Sequence, residues 1–564
     1  MKTKSTRILQ ILLFLLLACA ATAAAQRELV PVTNPVYQFL FRQELRGAIH
    51  GFQWGMLPLS RKEIAGYLDS LEARASAGHR LPAVDDAWLR DLRVEFSYDI
   101  HSTLDASSAL IPDFQFSGIF NDDRQKYLYS YMDSSASVFM DGFADWSYRV
   151  GNDQTPEPHF ASLGEIGIRV RGTLFDRLGY YVQASNGVQF SGSKEFALLD
   201  PRLQANAQFN RDEAFFDFTN GYLRYDADWL AVTFGREQIL WGMGYQDRAV
   251  ISDNSVPFDF AKLDLRSNSV HYSFLHGSLV GADSAGHTLA AKYIAAHRLE
   301  FNIGKPVRLG LNEAILYSNQ PISFTMMNPL IFLTSAELST EMPNSGDDAH
   351  NSLIWVDLEV TAPRNVRFFG SFLIDDLKFS TLNANDITRN TNKFAWQLGA
   401  LWNDAFTLPG LLLSGEYSRI NPFVETHWTN ANSYTTWNLP LGEQLQPNSD
   451  AWRFRADYAV SSRLLLSGQI QFQRTGENIV DPVTGKVIFD AGSDFLHGEN
   501  HLVHVNYFLQ GNLVKRTLFS FNATWQPIRQ YFLDLKVFAN SIQRPAQGTE
   551  ENPVSVWATV RVDY

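Results

Sequence analysis

The sequence contains almost no cysteine and few charged residues for its length. Cys19 is the one cysteine in 564 residues, which excludes a disulfide scaffold, a cysteine-ligated zinc site and thiol catalysis from the rest of the chain. Charged residues make up 19% of the chain, and the formal net charge is -13. Nucleic-acid-binding proteins usually carry an excess of basic residues, and this chain has an excess of acidic ones, so we expect no nucleic-acid partner.

Long apolar runs are missing after the first 25 residues. No later stretch reaches the roughly 18 consecutive apolar residues of a membrane-spanning helix. Aromatic residues, in contrast, make up 13% of the chain, and the abundance of Phe, Tyr and Gly favours strands over helices. A helical membrane protein is therefore excluded, which leaves a large secreted β protein or an outer-membrane barrel.

Residues 1–25 have the order of a secretory signal peptide. Three cations precede an apolar run, and Ala23-Ala24-Ala25 supplies a small-residue cleavage site. We predict an exported protein whose mature chain begins at Gln26. An alternative reads Leu16-Leu17-Ala18-Cys19 as a lipoprotein box, and the sequence leaves lipidation of Cys19 open.

Residues 26–92 carry a helical periodicity that the rest of the chain lacks. A first helix follows Asn34-Pro35 and ends by Gly47. Ser60 and Glu63 form a capping box for a second helix, and Asp85 is predicted to cap a third. Because three short amphipathic helices bury little surface by themselves, we expect them to pack against the larger body.

Residues 93–564 alternate between apolar and polar side chains, with loops rich in Asn, Asp, Gly, Ser and Pro. In 354–359, for example, Ile, Val and Leu alternate with Trp, Asp and Glu. A soluble sandwich also alternates, but these segments are long, join through tight turns and carry Trp or Tyr near their ends. That pattern is typical of transmembrane strands. We therefore predict a membrane all-β fold, a large antiparallel transmembrane β-barrel of about 16 to 18 strands.

The last segment, 556–564, is an amphipathic strand that ends in the aromatic Tyr564. Such a strand is what the barrel-insertion machinery of the outer membrane reads, so that machinery and outer-membrane lipid are expected partners. With Tyr564 at the periplasmic rim, 540–553 becomes an extracellular loop and 526–528 a periplasmic turn. Between 476 and 499 the pattern leaves two possibilities open, one long loop or an extra hairpin at 478–490.

The stretch 234–258 is too specific to be explained by alternation. It contains Gly235-Arg236, then Trp241-Gly242-Met243-Gly244, then Ser252-Asp253-Asn254 shortly before Pro257-Phe258. This arrangement resembles the Wzi family of capsule assembly proteins. The helical region 37–92 and Met327-Asn328-Pro329-Leu330 are similar to further parts of that family.

The resemblance implies an 18-stranded outer-membrane barrel with a helical bundle on its periplasmic side. It also implies a lectin-like function, in which the protein attaches exported capsular or extracellular polysaccharide to the cell surface. Acidic loops and abundant Phe depart from the family pattern, so the resemblance does not imply which polysaccharide is bound.

Arg236, Trp241 and Asn254 are the first candidate polysaccharide-binding residues. We predict that Arg236, rather than Glu237, faces the lumen, because a lumenal arginine can pair with an acid or an anionic sugar. The two glycines after Trp241 are predicted to need a positive φ or a close backbone approach. The alternative is that these residues fix a loop that plugs the lumen and never contact polysaccharide.

Trp428, Tyr434 and Trp437 are the second set of candidates. They lie in 421–450, an almost uncharged stretch with several Asn and Thr residues. Aromatic planes fit the apolar face of a sugar ring and Asn amides fit its hydroxyls, so we predict a polysaccharide-binding surface here. An interfacial aromatic girdle or a self-packed loop is the alternative.

Catalytic and metal-binding motifs are scarce. The sequence has no HExxH, Gly-x-Ser-x-Gly, Walker or Gly-x-Gly-x-x-Gly motif. His497, Glu499, His501 and His504 are dense, but no predicted helix places them as metal ligands. We therefore expect no metal site, no cofactor and no enzyme activity.

Two functions remain open at this point. A polysaccharide anchor requires a lumen blocked by loops and an outer surface that carries aromatic residues. A passive porin or sugar channel requires an open lumen lined by charged rings. The alternation fits both functions, and only the stretch 234–258 favours the anchor.

Overall fold

A closed barrel of long antiparallel strands dominates this computed structural model. The structure describes residues 26–101, 103, 116–152, 159–211, 214–282, 288–340, 350–363, 365–377, 392–497 and 507–564. Within these ranges the eighteen barrel strands are β1 (Ser137–Gly151), β2 (Phe160–Leu174), β3 (Leu178–Gly192), β4 (Phe215–Asp226), β5 (Leu230–Glu237), β6 (Phe258–Arg266), β7 (Val270–Ala282), β8 (Thr288–Ile303), β9 (Val307–Ser318), β10 (His350–Ala362), β11 (Val366–Asp376), β12 (Lys393–Asn403), β13 (Leu411–Ile420), β14 (Ser449–Ser461), β15 (Leu464–Glu477), β16 (Asn512–Ile528), β17 (Tyr531–Arg544) and β18 (Val554–Asp563).

Each strand pairs with the next along the chain, and the last strand closes the ring. In β18, Ser555 pairs with Gly151 of β1 and Asp563 with Phe143, so the ends of the barrel meet without a free edge. The predicted antiparallel barrel of about 18 strands is confirmed.

Strand alternation separates a polar interior from an apolar outer face. On β10, Trp355, Asp357 and Glu359 point inward and are buried, whereas Val356 and Leu358 are exposed on the outside. Because lipid is the solvent of the outer face, exposed apolar side chains are stable there.

The two ends of the barrel differ in the length of their connections. Residues 304–306 join β8 to β9, whereas 421–448 join β13 to β14. Outer-membrane barrels have short periplasmic turns and long extracellular loops, so the end with 421–448 is extracellular. β16 ends at Ile528 and its periplasmic turn follows directly. A small hairpin, Ile479–Val480 with Val487–Phe489, lies inside the loop between β15 and β16 and adds no barrel strand.

Five helices precede the barrel among the described residues. They are α1 (Val36–Leu45), α2 (Arg61–Ser76), α3 (Ala83–Glu95), α4 (Ser97–His101) and α5 (Phe116–Ile119). The capping box of α2 is present: the Glu63 N–H donates to Ser60 Oγ at 3.3 Å, and the Ser60 N–H donates to Glu63 Oε2 at 2.9 Å.

The prediction that Asp85 caps α3 is wrong. Pro82 precedes the first helical residue, Ala83, so the helix starts earlier and Asp85 lies in its first turn. Proline is tolerated at a helix start because its missing N–H is not needed there. Asp85 is buried, and its carboxylate pairs with Arg46 Nη1 at 2.8 Å.

The first barrel strand also begins later than the boundary drawn at residue 93. Helices α4 and α5 lie between that boundary and β1. Shorter helices lie in the connections between strands: α6 (Lys194–Ala197), α7 (Pro201–Gln204) and α8 (Ala207–Asn210) follow β3, and α9 (Leu333–Thr340) follows β9. In the described parts of the chain, no helix is both long and apolar enough to span a membrane. The predicted signal peptide, with Cys19, lies outside the described residues.

Candidate functional site

Residues 26–101, which we call the plug, close the periplasmic end of the barrel through buried ion pairs. Glu44 on α1 accepts hydrogen bonds from Arg308 on β9 at 3.0 Å and from Arg367 on β11 at 2.9 Å. Burial opposes ionisation of Glu44, but the two arginines outweigh it and hold the Glu44 pKa below its ordinary value. Further plug-to-barrel pairs are Arg27–Asp228, Arg171–Glu28, Arg46–Asp404 and Arg529–Asp91. The plug is therefore held at many points around the barrel rim, as expected for helices that pack against the larger body.

Residues 238–257, which we call the lumen segment, leave the wall after β5 and cross the barrel. Leu240–Trp241 pairs with Met56–Leu57 of the plug. The Tyr245 hydroxyl donates to Asp457 on β14 at 3.0 Å, and the Gln246 N–H donates to Glu416 on β13 at 2.8 Å. These contacts connect β5 with the far wall, so the segment spans the lumen.

Two glycines allow the sharp path of the lumen segment. Gly242 has a φ of +124°, and a Cβ on Gly244 would lie 1.9 Å from the Asp247 carbonyl oxygen. The predicted positive φ and close approach are both present. Nearby, the Arg248 guanidinium lies 4.5 Å from the Trp54 ring centroid, which fastens the turn to the plug.

Residues 421–448, which we call the inward loop, pack onto the lumen segment from the extracellular side. The Tyr434 hydroxyl donates to the Val250 carbonyl at 2.7 Å, and Asn254 Nδ2 donates to the Gly442 carbonyl at 3.0 Å. Lys292 on β8 donates from its Nζ to the Ser433 and Thr435 carbonyls at 2.6 and 2.7 Å. The extracellular end of the lumen is therefore covered by a loop that bonds to both the wall and the lumen segment.

Carboxylates gather where the inward loop meets the lumen segment. Arg453 on β14 pairs with Glu443 of the inward loop and lies 3.9 Å from Asp247 of the lumen segment. Burial raises the pKa of Asp247 to about 7, and the negative charge of Glu443 adds to the rise. Burial also raises the Glu425 pKa well above its ordinary value, reinforced by Asp375. The closed arrangement therefore favours protonated carboxyl groups.

The prediction that Arg236 faces the lumen is wrong. Arg236 lies on the outer face, where its Nη2 is 2.7 Å from Asp259 Oδ2. Phe234, two residues earlier, is 70% exposed on the same face, and Glu237 takes the buried inward position. Because successive residues of a strand alternate between faces, the lipid-facing Phe234 sets Arg236 outside.

Trp241, Tyr434 and Asn254 hold the interior together. Trp241 and Tyr434 are fully buried, and the Tyr434 ring centroid lies 5.3 Å from that of Trp355. Asn254 is half-buried, and its Nδ2 also donates to Asp247 Oδ1 at 2.7 Å. The expectation that Trp241 and Tyr434 face polysaccharide is therefore corrected, since a polymer outside the barrel cannot reach a buried ring. They take the alternative role, that of residues fixing a loop.

Trp428 and Trp437 remain at the extracellular surface, where both are half-buried. Asn438, Gln444 and Gln446 of the same loop are exposed. The two glutamines were not among the sequence-based candidates, although the amide-rich composition of 421–450 was the signal that could have found them.

Tyr507 is a further extracellular aromatic residue, and it was not among the sequence-based candidates. It is 60% exposed at the end of the loop between β15 and β16. That loop joins the stem of the inward loop, because Asn448 Nδ2 donates to the Gln510 carbonyl at 2.9 Å. Its link to the inward loop is a tertiary contact, so no local pattern revealed it.

The cavity under the inward loop is too small for a sugar polymer. It is lined by Trp355, Trp396, Gln397, Glu425 and Glu443 and encloses no more than about 260 Å³ of empty space. Small-molecule sites usually measure about 300–1,000 Å³, so this cavity is smaller than an ordinary small-molecule site.

The histidine cluster near residue 500 is largely outside the described residues, which include His497 but not Glu499, His501 or His504. Across the described ranges, no group of three or more His, Cys, Asp or Glu side chains could hold a metal ion.

The family model for the capsule assembly protein Wzi matches residues 160–538, from the start of β2 into β17. The match covers well over half of the chain and includes the lumen segment and the inward loop. The chain belongs to the Wzi family of capsule assembly proteins. Like other Wzi-family proteins it is an outer-membrane β-barrel.

A solved structure with this fold comes from the same family, and two porins match less well. Escherichia coli Wzi, described as an outer-membrane protein involved in group 1 capsule assembly and as a carbohydrate-binding β-barrel, matches with a TM-score of 0.56 at 14% identity, over 95% of this Wzi-family chain and 99% of that chain. Pseudomonas aeruginosa OprD gives a TM-score of 0.43 at 11% identity, over 76% and 95% of the two chains. Pseudomonas aeruginosa OpdK gives 0.44 at 7% identity, over 76% and 98%. No curated protein sequence matches the chain.

Proposed function

We propose that this chain is a lectin-like outer-membrane protein that attaches exported capsular or extracellular polysaccharide to the cell surface. The observation that carries the proposal is that two segments fold into the lumen from opposite ends, the plug from below and the inward loop onto the lumen segment from above. A passive sugar channel needs a continuous open path lined by polar groups. The carbohydrate binding described for Escherichia coli Wzi agrees with the anchor.

The extracellular rim of the inward loop has the chemistry of a glycan surface. Trp428 and Trp437 supply aromatic faces, and Asn438, Gln444 and Gln446 supply exposed amide donors and acceptors. A polysaccharide repeats the same sugars many times, so several weak contacts on many copies of the protein add up to firm attachment. The role is binding, without a chemical step.

Binding of isolated polysaccharide to the purified protein tests this surface. We expect the double variant Trp428→Ala/Trp437→Ala to bind about tenfold more weakly, a loss of about 1.4 kcal/mol, because it removes both aromatic faces. Trp229→Ala is the matched control, because Trp229 is 63% exposed but lies in the periplasmic turn between β4 and β5. Equal binding by the double variant and the control would reject the inward-loop surface.

Conductance in a planar bilayer separates the anchor from the channel. A lumen obstructed by the plug and the inward loop predicts no stable open-pore current from the wild-type protein. A persistent ohmic conductance of porin size would favour the channel.

A further inference from the structure

Part of the outer wall of the barrel is covered rather than open to lipid. On β9, Arg308 and Asn312 point into the lumen, so alternation turns Glu313, Ile315 and Tyr317 outward. All three outward residues are nevertheless buried. A carboxylate on the lipid side of a transmembrane strand is costly unless other groups satisfy it.

The cover is residues 319–340, which we call the strap. The Leu333 and Thr334 N–H groups donate to the two Glu313 carboxylate oxygens at 2.9 and 2.6 Å, and the Thr334 hydroxyl donates at 2.7 Å. Apolar contacts continue the cover, where Met326, Leu333 and Ala336 pack with outward residues of the wall. The strap thus folds over the outside of the barrel instead of into the lumen.

The strap also reaches far down the wall. Tyr272 is the third residue of β7, which starts at the periplasmic end with Val270, and its hydroxyl donates to the Pro329 carbonyl. Lower residues on the same wall, such as Ile303 at the end of β8, are exposed apolar side chains. The strap therefore lies at the height of the transmembrane strands.

The surface that the strap turns away from the barrel is apolar. Phe324 is 89% exposed, Leu330 is 85% exposed and Phe332 is more than half exposed. The stretch from Asn319 to Ala336 contains no Lys, Arg, Asp or Glu. Exposed apolar patches of this kind mark contact with lipid or protein.

We propose that the strap is embedded in the apolar layer of the outer membrane and binds lipid acyl chains through Phe324, Leu330 and Phe332. Its outer surface continues the lipid-facing belt formed by Leu311, Val356 and Leu358 on the neighbouring strands. Its inner side supplies the N–H donors that keep Glu313 away from lipid. This lipid-binding element is independent of polysaccharide attachment.

Spin labels on single cysteines test the proposal in phospholipid vesicles. The predicted mature chain has no cysteine, so Leu330→Cys and Phe324→Cys each give one labelling site. Leu398→Cys on the outer face of β12 is the lipid control, and Val483→Cys, 91% exposed in the extracellular hairpin, is the water control. A heat-modifiable band on a gel selects variants whose barrel is folded.

We expect oxygen to relax both strap labels strongly and a water-soluble nickel complex to relax them weakly, as at Leu398→Cys. Nickel sensitivity equal to that at Val483→Cys would overturn the proposal, because the strap would then lie in water. Spectral broadening that disappears on dilution with unlabelled protein would overturn it in favour of a second copy as the partner.

Discussion

Removing the Glu44 carboxylate should loosen the plug from the barrel. In Glu44→Ala, Arg308 and Arg367 each lose one charge-assisted hydrogen bond, and the Phe52 N–H loses its acceptor at 3.0 Å. Each such bond to a charged group contributes about 1.5–3 kcal/mol. The Phe52 bond lies within the plug, so docking onto the barrel loses only the two arginine bonds. Glu359 still pairs with both arginines at 3.2 Å, so the loss falls at the low end for two bonds, about 3 kcal/mol.

A cost of about 3 kcal/mol raises the population of the undocked plug roughly 100-fold. Limited proteolysis of the reconstituted protein from the periplasmic side reports that population, provided that undocking is faster than cleavage. Glu72→Ala is the matched control, because Glu72 on α2 is about half exposed and its pair with Arg93 is long, at 3.8 Å. Exposed pairs contribute about 0–1 kcal/mol, so the control should change cleavage little. Equal cleavage rates for the two variants would refute the reasoning.

Three further changes probe the interior. Gly244→Ala should destabilise the barrel by about 1–3 kcal/mol through overlap with the Asp247 carbonyl, measured by thermal unfolding, whereas Gly468→Ala, which meets no atom within 4 Å, should be neutral. Tyr434→Phe removes the bond to Val250 and should speed amide exchange in the inward loop by an amount equivalent to about 1 kcal/mol; unchanged exchange would contradict the contact. The raised pKa of Asp247 means that the closed inward loop binds more protons than the open one, so closure becomes less favourable as pH rises from about 4 to 7. Asp247→Asn should flatten the pH dependence of loop opening measured by amide exchange. An equal slope in both proteins would contradict this prediction.

Local signals predicted the architecture well. Ser60 and Glu63 form their capping box because both partners lie within one helical turn, and the alternation at 354–359 appears as inward Trp355 and outward Val356. Such patterns need only neighbours in sequence. Asp85 was misplaced because the helix begins at Ala83, directly after Pro82, so Asp85 lies in its first turn.

The candidate site was predicted less well because it depends on contacts between distant segments. The Tyr434 hydroxyl donates to the carbonyl of Val250, 184 residues away, so a loop with the composition of a polar surface lies partly in the interior. Arg236 was predicted to face the lumen because the sequence indicates the strand but does not indicate which of its two faces, that of Phe234 or that of Glu237, points toward lipid. The strap was missed because the sequence does not indicate that residues 319–340 fold back over the outer face of β9, the strand that precedes them, onto Glu313.

The partition of polysaccharide between cells and medium tests the central claim most directly. A strain lacking this protein should make and export as much polysaccharide as the parent but release it into the medium, and the wild-type protein should restore the cell-bound fraction. Attachment acts after export, so total polysaccharide should not change. Full retention of polysaccharide on cells of the deletion strain, together with reduced uptake of a small sugar, would contradict the anchor and support a channel.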